Sequence, residues 1–293
     1  MPLGLLPEGD GFLLERLAIA HVSSGAGLVI ASRTKRAEGG QGLLALGGVD
    51  YGGAGKPWSA LAATGAEVED VEARFRRKEP GGVVRRLTGG LADEAAFLRE
   101  GPKARYIHAA THGYFDLDHL RVACGSAPSR GLAGRVSAGV GGEASGAAAS
   151  PLGAGWNPLL LSGIVLAGAN DKHDGGEDGW LSAEELQSID LRGCELVVLS
   201  ACETGKGELA AGEGVLGISR ALAVAGARSF MLSLWRVPDA ETRGLMQAFY
   251  DGLWKEGHSP EEALRGAQLA VLCADRESGR FRPSTWGAWF LTR

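Results

Sequence analysis

Short apolar runs, bounded by glycine or polar turns, recur along the chain. Most are rich in valine, isoleucine and leucine and do not alternate with polar residues, as is typical of strands buried on both faces of a sheet. These runs predict strands at Leu17–Ala20, Gly27–Ala31, Leu43–Gly47, Tyr106–Ala110, Gly163–Ala167, Leu196–Ser200 and Phe230–Leu234.

Between these runs, apolar residues recur at helical spacing. The pattern predicts three amphipathic helices, and a fourth is expected to begin at Ser259, which starts a capping box with proline at the first helical position. Gly226 follows the second helix as a C′ residue. The predicted helices are Gly65–Lys78, Gly214–Ala225, Ala240–Glu256 and a last one from Pro260 to about Ala274.

Alternating strands and helices indicate an α/β fold with a mostly parallel sheet and helices on both faces. The segment 121–155 breaks the pattern: 23 of its 35 residues are glycine, alanine or serine, and it has no apolar periodicity. We interpret it as a long mobile surface loop. Residues 1–293 are then expected to form one domain with this loop inserted.

Composition narrows the classes of protein. Of 293 residues, 45% are hydrophobic and 22% charged, which excludes wholesale disorder, and the 47 glycines show no collagen period. A net charge of −5 without a polybasic run argues against a nucleic-acid or membrane surface. The N-terminus lacks a signal-peptide pattern, and no apolar run is long enough to span a membrane.

The four cysteines are widely spaced and form no C-x-x-C pair, which disfavours a zinc site or a disulfide framework. We therefore expect a reducing, cytoplasmic location and no metal or other cofactor. The cysteines are Cys124, Cys194, Cys202 and Cys273.

Two predicted strands end in residues that can do chemistry. One ends at His112-Gly113 and the other at Cys202, which a polar turn follows. If the strands are neighbours in a parallel sheet, both ends lie at the edge where α/β folds bind ligands. His108 lies four residues before His112 on the same face, and we interpret it as a core residue or a support of the site.

A His–Cys pair suits nucleophilic catalysis. A thiol is mostly protonated at pH 7, and a nearby imidazole can take its proton and later protonate a leaving amine. The backbone N–H groups of Gly113 and Cys202 are the expected oxyanion donors. Spacing alone leaves a structural role open for each side chain.

The blocks THGYFD and LSACETGKGE, followed by GEGVLGISRALAVAGARSFMLSLWRVPDAET, resemble the CHAT domain family. These are caspase-like cysteine peptidases related to separase, caspases and metacaspases. The resemblance covers nearly the whole chain. It implies a caspase-type fold, His112 as general base and acid, Cys202 as nucleophile, and regulated proteolysis such as bacterial cell death or anti-phage defence.

The resemblance also implies partners. The substrate would be another protein, such as a gasdermin-like pore former. CHAT domains are often fused to helical repeats, and none stands in this sequence, so the chain is expected to be a stand-alone CHAT domain or a piece of a larger one. Recognition of the activating signal would then reside elsewhere, as in a repeat-containing activator. Asp239 matches the separase segment that lines the S1 pocket, which implies a basic P1 residue. The alternative for Asp239 is a helix N-cap.

Several further readings stay open. The 121–155 loop is a spacer, a gate or a self-cleavage segment, with Arg130 and Arg135 as scissile positions. The acidic segment Asp171–Asp178 does not fit EF-hand spacing, and we interpret it as a solvated loop before a helix cap at Ser182. A phosphate-binding protein is disfavoured because the glycine-rich stretch at 47–56 lacks Walker spacing. The rival function is a non-catalytic CHAT scaffold.

Overall fold

The structure, a computed structural model, describes residues 3–22, 39–53, 57–115, 158–171, 177–203, 208–235 and 237–293. At residues 115, 158, 201–203, 208–214, 239 and 240 it describes the backbone alone.

Eight strands of this part of the chain form one mixed sheet in the order β10-β9-β8-β5-β3-β4, and β6 and β7 extend from the far end of β5. The four central pairings are parallel, whereas β10–β9, β5–β6 and β6–β7 are antiparallel. The predicted mostly parallel α/β sheet is confirmed. The strands are β3 (Leu43–Val49), β4 (Val84–Gly89), β5 (Tyr106–Phe115), β6 (Ser162–Val165), β7 (Trp180–Ser182), β8 (Leu196–Glu203), β9 (Phe230–Ser233) and β10 (Trp289–Thr292), and a separate hairpin pairs β1 (Pro7–Glu8) with β2 (Gly11–Phe12).

Helices cover both faces of the sheet. Seven α-helices lie in the described residues, and a π-helix at Asp251–Lys255 continues the fifth. The α-helices are α1 (Thr64–Lys78), α2 (Glu94–Glu100), α3 (Ala183–Ser188), α4 (Glu208–Ala225), α5 (Asp239–Tyr250), α6 (Pro260–Glu277) and α7 (Pro283–Trp286); 3₁₀ turns lie at Leu3–Leu5, Leu13–Glu15, Gly101–Lys103 and Pro158–Leu161.

The uniform apolar character of the central strands follows from this layering. Successive residues of β3 alternate between two cores: Leu44 and Leu46 pack with α2, α3 and α4, whereas Leu43 and Ala45 pack with α1, α5 and α6. Because side chains of a strand point alternately to the two faces, a strand covered on both faces leaves few positions for polar side chains.

Local sequence signals predicted several helix ends correctly. Ser182 and Ser259 both form capping boxes, with Glu185 and Glu262, and Gly226 has a φ of +91° after α4. α4 begins six residues before the predicted start, and α6 extends three residues past Ala274.

Some predictions fail. Leu17–Ala20 is not a strand; only His21 after it bridges β10, through its backbone N–H and carbonyl. Sequence patterns missed β4, which carries two arginines at the sheet edge, and the short strands β7 and β10. Gly27–Ala31 lies outside the described residues, as does the 121–155 loop with Arg130 and Arg135.

Candidate active site

The register of β5 and β8 places the two candidate catalytic residues, His112 and Cys202, opposite each other on adjacent strands. β5 and β8 pair in parallel over eight residues, from Tyr106–Leu196 to Gly113–Glu203, and His112 pairs with Cys202. Adjacent strands lie about 4.8 Å apart in the pairing direction. The strands that carry His112 and Cys202 are therefore neighbours, as expected, although β5 continues past His112 to Phe115 and β8 ends one residue after Cys202.

The His112 side chain is held in one orientation. It is 6% exposed, and its Nε2 lies 2.8 Å from the carbonyl oxygen of Ser59. A carbonyl only accepts hydrogen bonds, so Nε2 is the donor and carries the proton. Nδ1 is then the unprotonated nitrogen of the neutral ring, and it is the atom that can act as a base.

Two aromatic rings flank the imidazole. The ring centroids of Tyr51 and Trp58 lie 5.0 and 5.1 Å from that of His112. The hydroxyl of Tyr51 is 2.9 Å from Thr111 Oγ1, which in turn donates to the carbonyl of Val165. This packing limits rotation of the imidazole and shields it from water.

His108 belongs to the core. It is fully buried, its Nδ1 lies 3.0 Å from the Tyr250 hydroxyl, and its Nε2 lies 3.1 Å from Glu67 Oε1 without hydrogen-bond alignment. Burial and the neighbouring Glu67 carboxylate raise the pKa of Tyr250 well above its ordinary value. The interpretation of His108 as a core residue is confirmed.

Gly113, an expected oxyanion donor, lies inside the sheet, opposite Ile164 of β6 and Glu203 of β8. Asp239 begins α5, and Pro238 rather than Asp239 occupies the N-cap position. The N-cap interpretation of Asp239 is therefore wrong, because the helix begins one residue earlier than that role requires. The S1 role of Asp239 stays a prediction.

Among the other cysteines, Cys194 is buried, and burial raises the pKa of its thiol to about 12. Cys273 is exposed.

Within the described ranges, no group of three or more histidine, cysteine, aspartate or glutamate residues is placed to hold a metal ion. Much of the acidic segment, residues 172–176, lies outside those ranges. No described helix is long and apolar enough to cross a membrane.

Sequence reasoning missed the surroundings of His112. Tyr51, Trp58 and Ser59 belong to the loop after β3, about 50 residues before the histidine. The Ser59 contribution is a backbone carbonyl, which carries no residue-type signal. The one sequence feature that could have indicated these surroundings is the aromatic residue Tyr51, directly before Gly52 and Gly53.

The stability of the folded protein is expected to depend on pH through Glu94, whose carboxylate neighbours flank β7. Burial, then the nearby Glu185, Asp178 and Glu177 carboxylates, raise the pKa of Glu94 from 4.5 to about 7. The folded state thus favours the protonated acid. Protonated Glu94 therefore contributes to the free energy of unfolding. This contribution is fully present below pH 4.5 and is lost as the pH rises through about 7.

We therefore expect Glu94→Gln to melt at increasingly higher temperature than the wild type as the pH rises from 5 to 8. The exposed Glu184→Gln is the control. Melting curves at four pH values check this, and a temperature difference between Glu94→Gln and wild type that is constant with pH would contradict it.

A profile of the CHAT domain matches residues 1–293. Tetratricopeptide repeat protein 28 of Mus musculus is 33% identical over 112 residues, and its Homo sapiens counterpart is 33% identical over 111 residues. Each alignment covers 38% of this chain and 4% of the relative, so the chain spans a small fraction of these proteins.

Proposed function

The chain belongs to the CHAT domain family, a family of caspase-like peptidases, and on that premise we propose that it is a cysteine endopeptidase that cuts a protein substrate at one or few sites. The observation that carries the proposal is the register of β5 and β8, which pairs His112 with Cys202 at the end of adjacent parallel strands. The carbonyl-bound Nε2 of His112 supports it, because it makes Nδ1 the basic nitrogen.

In the proposed reaction, Nδ1 of His112 takes the proton of the Cys202 thiol, and the sulfur attacks the scissile carbonyl carbon. The backbone N–H groups of Gly113 and Cys202 donate to the resulting oxyanion. The imidazolium then protonates the leaving amine as the C–N bond breaks, which leaves a thioester. Water, deprotonated by His112, hydrolyses the thioester to the carboxylic acid and restores the thiol.

The role that we attach to this activity is regulated proteolysis in a reducing compartment, as in bacterial cell death or defence, with a gasdermin-like or other effector as substrate. A repeat-containing segment or partner would supply activation. Its support is that the matched relatives are named for tetratricopeptide repeats.

The test is cleavage of a fluorogenic peptide panel, and of a mixed protein substrate followed by mass spectrometry of new N-termini. Wild type and Cys202→Ala are compared, with the exposed Cys273→Ala as a matched cysteine control. We expect cleavage by wild type and Cys273→Ala and none by Cys202→Ala. Equal cleavage by all three would exclude Cys202 as nucleophile, and a wild type without activity would favour the scaffold function.

A basic P1 preference through Asp239 is part of the proposal. We expect Asp239→Asn to lower kcat/KM for arginine at P1 by about 10- to 100-fold, because a hydrogen bond between charged groups is lost. Peptides with neutral P1 residues should be unaffected. Glu241→Gln, in the same first turn of α5, is the control. An unchanged P1 profile in Asp239→Asn would remove Asp239 from the S1 pocket.

A further inference from the structure

One side chain outside the predicted site holds the loop that orients His112. Asn170 lies on the chain that leaves β6, more than 50 residues after the histidine. Its Oδ1 accepts a hydrogen bond from Trp58 N at 3.0 Å, and its Nδ2 donates to the carbonyls of Trp58 and Gly52 at 2.8 and 3.1 Å. Both amide hydrogens and one lone pair of the side chain are thus used on this loop.

The backbone of Asn170 adds to the same contact. Its N–H donates to the Tyr51 carbonyl at 2.7 Å. The close approach also requires glycine on the loop: Gly53 has a φ of +57°, and a Cβ there would lie 3.0 Å from Asn170 Cβ. Asn170 therefore contacts the loop at 51–53 and again at Trp58, on both sides of residues 54–56.

The loop residues held in this way are those that contact the imidazole. Tyr51 and Trp58 pack on the His112 ring, and Ser59, directly after Trp58, accepts from Nε2. Because Trp58 is bonded through both its N–H and its carbonyl, the peptide that leads into Ser59 has little freedom to rotate. The Ser59 carbonyl belongs to the following peptide, and the restrained 58–59 peptide fixes the position of the residue from which that carbonyl reaches Nε2.

We propose that Asn170 is a positioning residue, which fixes the proton of His112 on Nε2 by holding Tyr51, Gly52 and Trp58 beside the imidazole, and so makes Nδ1 the nitrogen presented for proton transfer with Cys202. The tautomer part stands on the hydrogen bonds alone, whereas the catalytic part rests on the proposed function.

The test uses the full chain with ¹⁵N-labelled histidine, in which NMR distinguishes the two neutral tautomers without any substrate. The His112 signal is assigned by its loss in His112→Gln. Asn170→Ala removes all three side-chain bonds. Asn170→Asp keeps the shape of the side chain and the acceptor for Trp58 N–H, but an oxygen replaces the amide group that donates both hydrogen bonds. It takes the place of the alanine variant if that variant does not fold. Ser259→Ala, which removes the α6 capping box, is the control for a general loss of stability.

We expect His112 to be the Nε2–H tautomer in wild type and in Ser259→Ala, and a mixture of tautomers in both Asn170 variants. In parallel, kcat for peptide cleavage should fall on the order of 100-fold in the Asn170 variants with little change in KM, since misplacement of a catalytic group by about 1 Å has that effect.

An unchanged Nε2–H signal in both Asn170 variants overturns the proposal, whatever happens to kcat. The two proposals fail separately. A tautomer change in a protein that cleaves no peptide supports the positioning role and rejects the peptidase, whereas cleavage with an Asn170-independent tautomer does the opposite.

Discussion

His112→Gln is expected to slow peptide cleavage at pH 7 by about 10²- to 10⁴-fold, the range that a lost general acid–base catalyst covers. Without the imidazole, no neighbouring base should take the Cys202 proton, so that the thiol should be mostly protonated at pH 7, as thiols ordinarily are. The rate of Cys202 alkylation by iodoacetamide should therefore fall at pH 7 and recover above pH 9. Cleavage should stay impaired there, because no group protonates the leaving amine.

The measurement is the pH profile of both rates, with each cysteine followed by mass spectrometry. Exposed Cys273 serves as an internal reference, and buried Cys194, whose pKa burial raises to about 12, should stay unreactive in the folded protein. His258→Gln, at an exposed histidine, is the matched variant. Identical pH profiles for Cys202 in wild type and His112→Gln would show that the two residues do not interact.

Asp275→Ala is expected to lower the free energy of unfolding by about 3 kcal/mol, the largest stability effect that we predict. Asp275 is 2% exposed, and it accepts from Arg282 Nη2 at 2.8 Å, Nε at 3.1 Å and backbone N at 3.2 Å. Arg282 also reaches Glu241 Oε1 at 3.1 Å. The buried carboxylate thus joins the end of α6 to the segment before α7 and to the first turn of α5.

The melting temperature should fall by roughly 6–12 °C. Glu8→Ala removes an exposed ion pair with Arg16 and should change it little, because solvent screens such pairs. If Asp275→Ala melts no lower than Glu8→Ala, the Asp275–Arg282 contact contributes no net stability.

Much of the central sheet was predictable because its strands carry local signals. Strands buried on both faces are mostly apolar, so β3, β5, β8 and β9 stand out as predominantly apolar runs. Capping boxes at Ser182 and Ser259 are equally local, since each is closed by a residue three positions away. β4 escaped the same reasoning because an edge strand tolerates Arg85 and Arg86, which break its apolar run.

In the candidate site, too, some features were predictable from the sequence and others were not. His112 and Cys202 were visible as reactive residues at the ends of apolar strands. Their adjacency depends on β8 pairing with β5, a contact between segments 90 residues apart, which no local pattern encodes. The helix start at Asp239 was misjudged by one residue, because the chain at Pro238 takes an extended conformation and occupies the N-cap position.

By itself, the sequence determined the class of fold, the two strands that carry His112 and Cys202, and the family to which the chain belongs. Only the tertiary structure decided how the imidazole is oriented. The groups to which we assign this orientation are the carbonyl of Ser59 and the side chain of Asn170. The first could not be predicted because every residue has a carbonyl, and the second because asparagine in a loop is ordinary. Their function arises from hydrogen bonds across more than 50 and more than 100 residues of chain, which form only when the sheet has brought the loops together.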